Sequence, residues 1–207
     1  AIEAFKKNQS IDFKKVYGLD DRPIIALLPG SRKQEISKLL TEMLHIVDAY
    51  PQFQFIIAGA PSLNADFYKP FIKQENVQLI LNDTYNLLNN SYAAIVTSGT
   101  ATLETALFNV PQVVVYKGNE ISYQIAKRVI KLKYISLVNL IMDEQIVTEL
   151  IQKECNTANI KKEFDKVINN SGRSKMLAKY HELSELLGGG GASERVINII
   201  KKTLRTF

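Results

Sequence analysis

Apolar and polar positions fall into a regular rhythm from residue 24 onward. Ile24–Leu28 is a short apolar run closed by Pro29-Gly30-Ser31, the pattern of a strand buried on both faces of a parallel sheet. After it, Ile36, Leu39, Leu40, Met43, Leu44, Val47 and Tyr50 recur at helical spacing and form one stripe. The pattern then predicts a strand over Phe53–Ala58, a helix over Asn64–Lys73 and a strand over Val77–Leu81. A short helix at Tyr85–Asn89, a strand at Ala93–Thr97 and a helix from Thr100 to Phe108 continue it. Pro111 precedes a strand at Gln112–Tyr116, and a helix is expected over Tyr123–Leu132. Past Asn139 the pattern predicts helices alone: Glu144–Lys153, Ala158–Asn169, Ser174–Leu187 and Ala192–Leu204. Strands alternating with helices through short loops imply right-handed crossovers and an α/β fold, a Rossmann-like parallel sheet with helices on both faces.

Composition narrows the class without changing it. A chain of 207 residues builds one good core with little left for a second domain. Its 46% hydrophobic and 23% charged residues are those of an ordinary globular protein. No apolar run approaches the ~18 residues of a membrane-spanning helix, and residues 1–7 lack the pattern of a signal peptide. The absence of an initiator Met is read as the mark of an excised domain or of processing. The single Cys155 excludes an internal disulfide and suits a reducing cytoplasm. A net charge of +5 points to an anionic partner. Its densest stretch, Lys127, Arg128, Lys131 and Lys133, comes with no zinc-finger spacing or RNA-binding aromatic motif, so nucleic acid is not expected.

Two loops carry the candidate chemistry. In an open parallel sheet, ligands bind beyond the carboxyl ends of the strands, where strand order reverses. Leu27-Leu28-Pro29-Gly30-Ser31-Arg32 lies at one such end. Gly30 allows close backbone approach, Ser31 is expected to cap the following helix, and Arg32 offers a planar cation that grips phosphate oxygens in pairs. The plainer alternative is a capped turn with a solvated arginine. Thr97-Ser98-Gly99-Thr100 repeats the arrangement at a second helix N-terminus, suited to a pyrophosphate. Glu104 follows about one and a half turns into that helix, where its carboxylate can accept both ribose hydroxyls or simply face solvent. His45 falls opposite the apolar stripe and His181 at the margin of another; neither has the neighbours of a triad or a metal site. Gly188–Gly191 follows a helix and reads as a hinge or C-cap, not a phosphate loop.

Leu27–Arg32 followed by Glu35, and Ser98-Gly99-Thr100-Ala101-Thr102-Leu103-Glu104, together resemble the signature of lipid-A-disaccharide synthases. Tyr116, Tyr123 with Ala126-Lys127, Tyr134–Leu140 and Glu149–Cys155 continue the resemblance in order. Val138 departs from it, standing where many relatives carry a proline. The resemblance implies one half of a GT-B glycosyltransferase, the C-terminal domain that holds the UDP-sugar. In that reading residues 1–22 are a leading helix or linker, 23–187 the nucleotide-sugar domain and 188–207 a hinge with a C-terminal helix. The implied reaction joins UDP-2,3-diacylglucosamine to 2,3-diacylglucosamine 1-phosphate with inversion, and needs neither metal nor cofactor. The site residues it implies are Gly30, Ser31, Arg32, Ser98, Gly99, Thr100, Glu104 and Tyr116, with Asn139 and Gln152 in the cleft. Arg32 would stabilise the leaving diphosphate, and the general base is expected in an N-terminal acceptor domain, the partner half of the same enzyme. Acylated substrates make the face of Lys127, Arg128 and Lys131 a membrane-contact candidate, on a cytoplasmic protein peripheral to the inner membrane face. A UDP-N-acetylglucosamine 2-epimerase-like domain, or a nucleotide-binding module without transfer chemistry, are the rival readings.

Overall fold

The computed structural model describes residues 12–118 and 133–188. The expected helix over Tyr123–Leu132 with its basic face, and the helix over Ala192–Leu204, lie outside the described residues.

Six strands form one parallel sheet: β1 Ile24–Leu28, β2 Gln54–Gly59, β3 Val77–Leu81, β4 Ser91–Thr97, β5 Gln112–Tyr116 and β6 Glu149–Ile151. Their order is β3-β2-β1-β4-β5-β6. The helices are α1 Phe13–Val16, α2 Lys33–Leu44, α3 Ala65–Tyr68, α4 Thr84–Asn89, α5 Thr100–Leu107, α6 Leu137–Met142, α7 Thr157–Ile168 and α8 Asn170–Gly188. Because successive side chains of a strand point to opposite faces, each central strand feeds two cores. Ile25, Leu27, Phe55, Ile57, Ile95 and Val113 pack with the stripe of α2 and with Ile160, Phe164 and Val167 of α7. Ile24, Ala26, Leu28, Ile56, Ala94 and Val96 pack on the other face with Leu87 and Leu88 of α4. A third cluster joins Val114, Ala106 of α5, Val138 and Ile141 of α6, and Tyr180 and Leu183 of α8. Nothing in β1 or β2 is exposed, which is why those strands read as unbroken apolar runs rather than as alternation.

Polar groups buried at the lower strand ends are nearly all paired. Gln54 Nε2 donates to the carbonyls of Asp20 and Arg22, at 2.9 and 2.6 Å. Gln112 Nε2 donates to Thr102 O and to the Tyr180 hydroxyl, at 2.9 and 3.1 Å. The second pair ties α5 and α8 to the start of β5.

Three expectations are corrected. The helix expected over Asn64–Lys73 is only the single turn of α3. Pro70 disfavours helical geometry at Lys69 and has no N–H to give. The expected helix Glu144–Lys153 is instead the sixth strand followed by a 3₁₀ turn, Gln152–Glu154. Ile146, Val147, Leu150 and Ile151 fit helical and strand periods equally well over so short a run. The free edge of β5 decides between them: Val114 N donates to Thr148 O at 2.9 Å, and Val114, Val115 and Tyr116 pair with Glu149, Leu150 and Ile151. Ser31 does not cap α2; the capping position is Arg32, which supplies no side-chain bond.

Phe164 packs edge-on against Tyr50 and Phe53, with ring centroids 5.0 and 6.2 Å away. Phe164→Ala is expected to cost about 3–5 kcal/mol through the lost burial and the cavity left behind. Urea denaturation measures this, and a loss below 1 kcal/mol would show that α7 is not a core element.

Candidate functional site

β1 pairs with β2 on one side and with β4 on the other, all parallel. The chain moves outward from β1 to β3, then crosses back to place β4 on the opposite flank. That reversal is the switch point, and the loops leaving β1 and β4 diverge there and leave a crevice. A cavity of about 500 Å3 occupies it, within the ~300–1,000 Å3 usual for small-ligand sites. The loop after β2, the first residue of α4 and Tyr116 complete its wall.

Two glycines shape the rim. Gly30 has φ 110° and Gly99 φ 144°, in the region that side chains disfavour. A Cβ on Gly30 would also stand 3.3 Å from Thr97 Cγ2, so the two loops approach as closely as they do because position 30 is bare.

The helix ends follow a pattern. Asp12, Asn64, Ser136 and Asn156 each cap their helix by accepting a backbone N–H with the side chain. The N-termini of α2, α4 and α5 have no such bond, and these three helices line the cavity. The first N–H groups of a helix have no partner within it, and its dipole adds positive potential there. The α4 terminus carries the Asp83 carboxylate, which offsets this potential, so the uncapped N-termini of α2 and α5 are the two that suit an anion in the crevice. Arg32 adds charge at the rim: its side chain is 80% exposed, with one nitrogen 3.2 Å from Glu35 Oε1. Across the cavity Glu104 accepts a hydrogen bond from the Tyr85 hydroxyl at 3.0 Å through Oε1. That bond raises the Tyr85 phenol only after burial, which is the larger cause.

The structure brings Gly30, Ser31, Arg32, Ser98, Gly99, Thr100, Glu104 and Tyr116 together around this cavity. It does not bring Asn139 or Gln152 there. Asn139 is fully buried. Its Nδ2 donates to Val147 O and Glu149 Oε1 at 2.8 and 2.9 Å, and its Oδ1 accepts from Ile146 N and Val147 N at 2.8 and 3.0 Å. Both donors and both acceptor positions are spent, so Asn139 organises the turn into β6 rather than holding a ligand. Gln152 is also buried, with φ 51°. Its Oε1 accepts from Gly118 N at 3.0 Å, while its Nε2 finds no partner.

Glu149 is the residue that sequence reasoning passed over. Its Oε1 accepts from Ser136 N, Ser136 Oγ and Asn139 Nδ2 at 2.9, 2.7 and 2.9 Å, and its Oε2 from Ile135 N at 2.9 Å. The Ile135 carbonyl in turn accepts from Ser98 Oγ at 2.8 Å, so the β4 loop is braced through Glu149. No local signal marks this role, since the partners lie 10–14 residues away in the chain. Lys117, after β5, was likewise unmarked. Its Nζ sits 2.6 Å from Glu42 Oε1, and Thr157 Oγ1 donates to Glu42 Oε2 at 3.0 Å. Burial alone would raise the Glu42 carboxyl, yet the bonds from Lys117 and Thr157 hold it below the usual carboxylate range. His45 and His181 are exposed, and no group of acids, histidines and cysteine able to hold a metal occurs among the described residues. No described helix is long and apolar enough to cross a membrane.

Sheet order, crevice and helix termini define one half of a GT-B architecture, a Rossmann-like domain open at its switch point. Solved structures agree on the fold. An S. aureus MnaA–UDP co-structure matches with a TM-score of 0.60 at 18% identity, covering 100% of this chain and 53% of that one. A UDP-GlcNAc 2-epimerase from Neisseria meningitidis bound to UDP-GlcNAc matches with a TM-score of 0.58 at 19% identity, covering 97% and 51%. At such identities the likeness concerns the fold alone. Sequence is more specific: the family model "Lipid-A-disaccharide synthetase" matches residues 1–199. A lipid-A-disaccharide synthase of Coxiella burnetii is 38% identical over 192 residues, 90% of this chain and 51% of its own length. The chain belongs to the lipid-A-disaccharide synthase family, as the ordered motifs imply, and spans about half the length of the curated relatives it matches. Membership decides against the epimerase reading, although the fold is shared.

Replacing Glu149 by Gln turns one accepting oxygen into an NH2 that faces existing donors. Glu149→Gln is therefore expected to cost about 1–3 kcal/mol in chemical denaturation. Unchanged stability would show that the carboxylate does not organise residues 135–139.

Proposed function

We propose that this chain is the donor half of a glycosyltransferase, binding a UDP-sugar in the cavity at the switch point. The observation that carries the reading is the convergence of the two uncapped N-termini of α2 and α5, with Arg32 at the rim and the Glu104 carboxylate opposite. The diphosphate lies against Gly30–Arg32 and Ser98–Thr100, and the ribose hydroxyls donate to Glu104. In the reaction the resemblance implies, UDP-2,3-diacylglucosamine is the donor and 2,3-diacylglucosamine 1-phosphate the acceptor, joined through a β-1,6 bond. As the acceptor hydroxyl attacks from the face opposite UDP, negative charge grows on the leaving diphosphate. Fixed N–H dipoles and Arg32 stabilise that charge without reorganising at the moment of reaction. The base that takes the hydroxyl proton belongs to an acceptor domain facing the cavity.

Arg32→Ala should weaken UDP binding by about 1.5–3 kcal/mol, roughly ten- to a hundredfold, the loss of a charge-assisted hydrogen bond. Its exposed side chain contributes little to the fold, so the melting temperature should hold. Calorimetric titration reads the affinity, and full UDP affinity in the folded variant removes Arg32 from the site.

Glu104→Gln leaves one accepting oxygen, which Tyr85 already engages. It should cost about 1–2 kcal/mol with UDP and distinctly less with 2′-deoxy-UDP, which lacks one of the two donors. General damage to the fold weakens both ligands alike and cancels in the comparison. Equal losses would sink the ribose assignment.

A further inference from the structure

The nucleotide cavity does not end at Arg32. A second chamber of about 450 Å3 lies between the first turns of α2 and the residues after β5, and Arg32, Glu35 and Tyr116 belong to both walls. Its own lining adds Lys33, Lys38 and Lys117. Among the described residues, four cations thus surround it against the one carboxylate of Glu35, which faces Arg32 at 3.2 Å. Lys33 and Lys38 are exposed and make no ion pair among the described residues. Lys117 differs from them. Only a third of its side chain is exposed, and Glu42 grips the ammonium from behind, itself held by Thr157. An ammonium has three protons, so Lys117 presents a cation already fixed in place, with protons left for a ligand. Gly118 beside it is anchored by its N–H to Gln152 Oε1.

Such a lining holds more positive charge than it neutralises: like charges repel, and the one acid among the described residues of the wall, Glu35, is already spent on Arg32. An oxyanion of about two charges relieves the repulsion, and the uncapped first turn of α2 adds N–H dipoles to the same side. The separation from the first chamber matters as much as the charge. Each chamber has lining of its own, Ser98, Gly99, Thr100 and Glu104 in the first and Lys33, Lys38 and Lys117 in the second, so a ligand in each can meet at the shared Arg32 wall.

We propose that the second chamber is a subsite for a phosphate monoester carried by a hexose, the phosphate end of the acceptor. Lys33, Lys38 and Lys117 hold its oxygens, while the shared wall of Arg32, Glu35 and Tyr116 separates it from the leaving diphosphate. This deepens the function proposed above and rests on it for the identity of the sugar, but the chamber and its charge do not. The lysines here set where the acceptor lies relative to the nucleotide; they take no part in proton transfer.

The test titrates glucosamine 1-phosphate, inorganic phosphate and UDP separately into the isotopically labelled chain and into Lys33→Ala/Lys38→Ala, following backbone amide resonances. Both lysines are exposed and outside the nucleotide cavity, so the fold and the UDP affinity should be unchanged. Glucosamine 1-phosphate should shift the amides of Lys33, Lys38, Lys117 and Gly118, with UDP already bound or not. The double variant should weaken it by roughly tenfold or more, the range of charge-assisted bonds lost. Competition between glucosamine 1-phosphate and UDP would overturn the proposal, because one chamber would then serve both. So would unaltered affinity in the double variant, or inorganic phosphate binding as tightly as the sugar phosphate. Failure of UDP to bind overturns the nucleotide reading instead, and the glucosamine 1-phosphate titration still decides the chamber on its own.

Discussion

Everything that surrounds the cavity depends on β1 and β4 lying side by side. Four consecutive residues of each, Ile25–Leu28 and Ala93–Val96, pair in parallel register, although more than sixty positions separate them in the chain. Closing so long a loop is slow and entropically costly, and the pairing survives because both strands bury both faces. Once it forms, two glycine turns must leave the sheet at the same edge and in diverging directions. Helices α2 and α5 then aim their N-termini at one volume with no further instruction. The crevice is a consequence of strand order, and the glycines at 30 and 99 determine how closely a ligand can enter it.

The arrangement concentrates positive potential where the caps are missing. Among the described helices, Asp12, Asn64, Ser136 and Asn156 cap N-termini that do not line the cavity. An uncapped terminus costs about a kcal/mol of helix stability by comparison, so the two at α2 and α5 represent stability withheld from the unliganded fold, which an anion in the crevice would return. The bracing of this region is indirect. Ser98 reaches Ile135, Ile135 and Ser136 reach Glu149, and Asn139 locks the turn that brings Glu149 into the sheet. Asn139 and Glu149 therefore act on the site through the backbone they hold.

Glu104 and Arg32 belong to different elements and different charges, yet they face one cavity. In the function proposed above, these two walls divide the work: the carboxylate takes the ribose, and the cations and dipoles take the phosphate. The lysines beyond Arg32 extend the cationic wall past the first chamber, and the Glu42–Lys117 pair shows that part of this wall is built rather than incidental.

The sequence by itself determined the α/β class, five of the six strands, the helices α2, α5, α7 and α8 to within a few residues, and the two glycine loops. Those features are written locally. An apolar run bounded by Gly and Pro has few alternatives, and a stripe at helical period has one buried face. Eight of the ten proposed site residues sit on these loops, at Glu104 or at Tyr116, and the fold gathers them around one cavity. What only the tertiary structure decided are the features with two local solutions or with distant partners. Residues 146–151 could satisfy either period until the edge of β5 supplied hydrogen bonds. Asn139 was expected in the cleft because its motif resembles the family's, whereas its four hydrogen bonds go to Ile146, Val147 and Glu149 at the turn into β6. Ser31 stands one residue too early to cap, and α3 stops where Pro70 intervenes. Glu149 and Lys117 acquire their roles only when strands five and six, α2 and α7 are assembled, since a carboxylate or an ammonium carries no mark of its partner until folding brings the two within 3 Å.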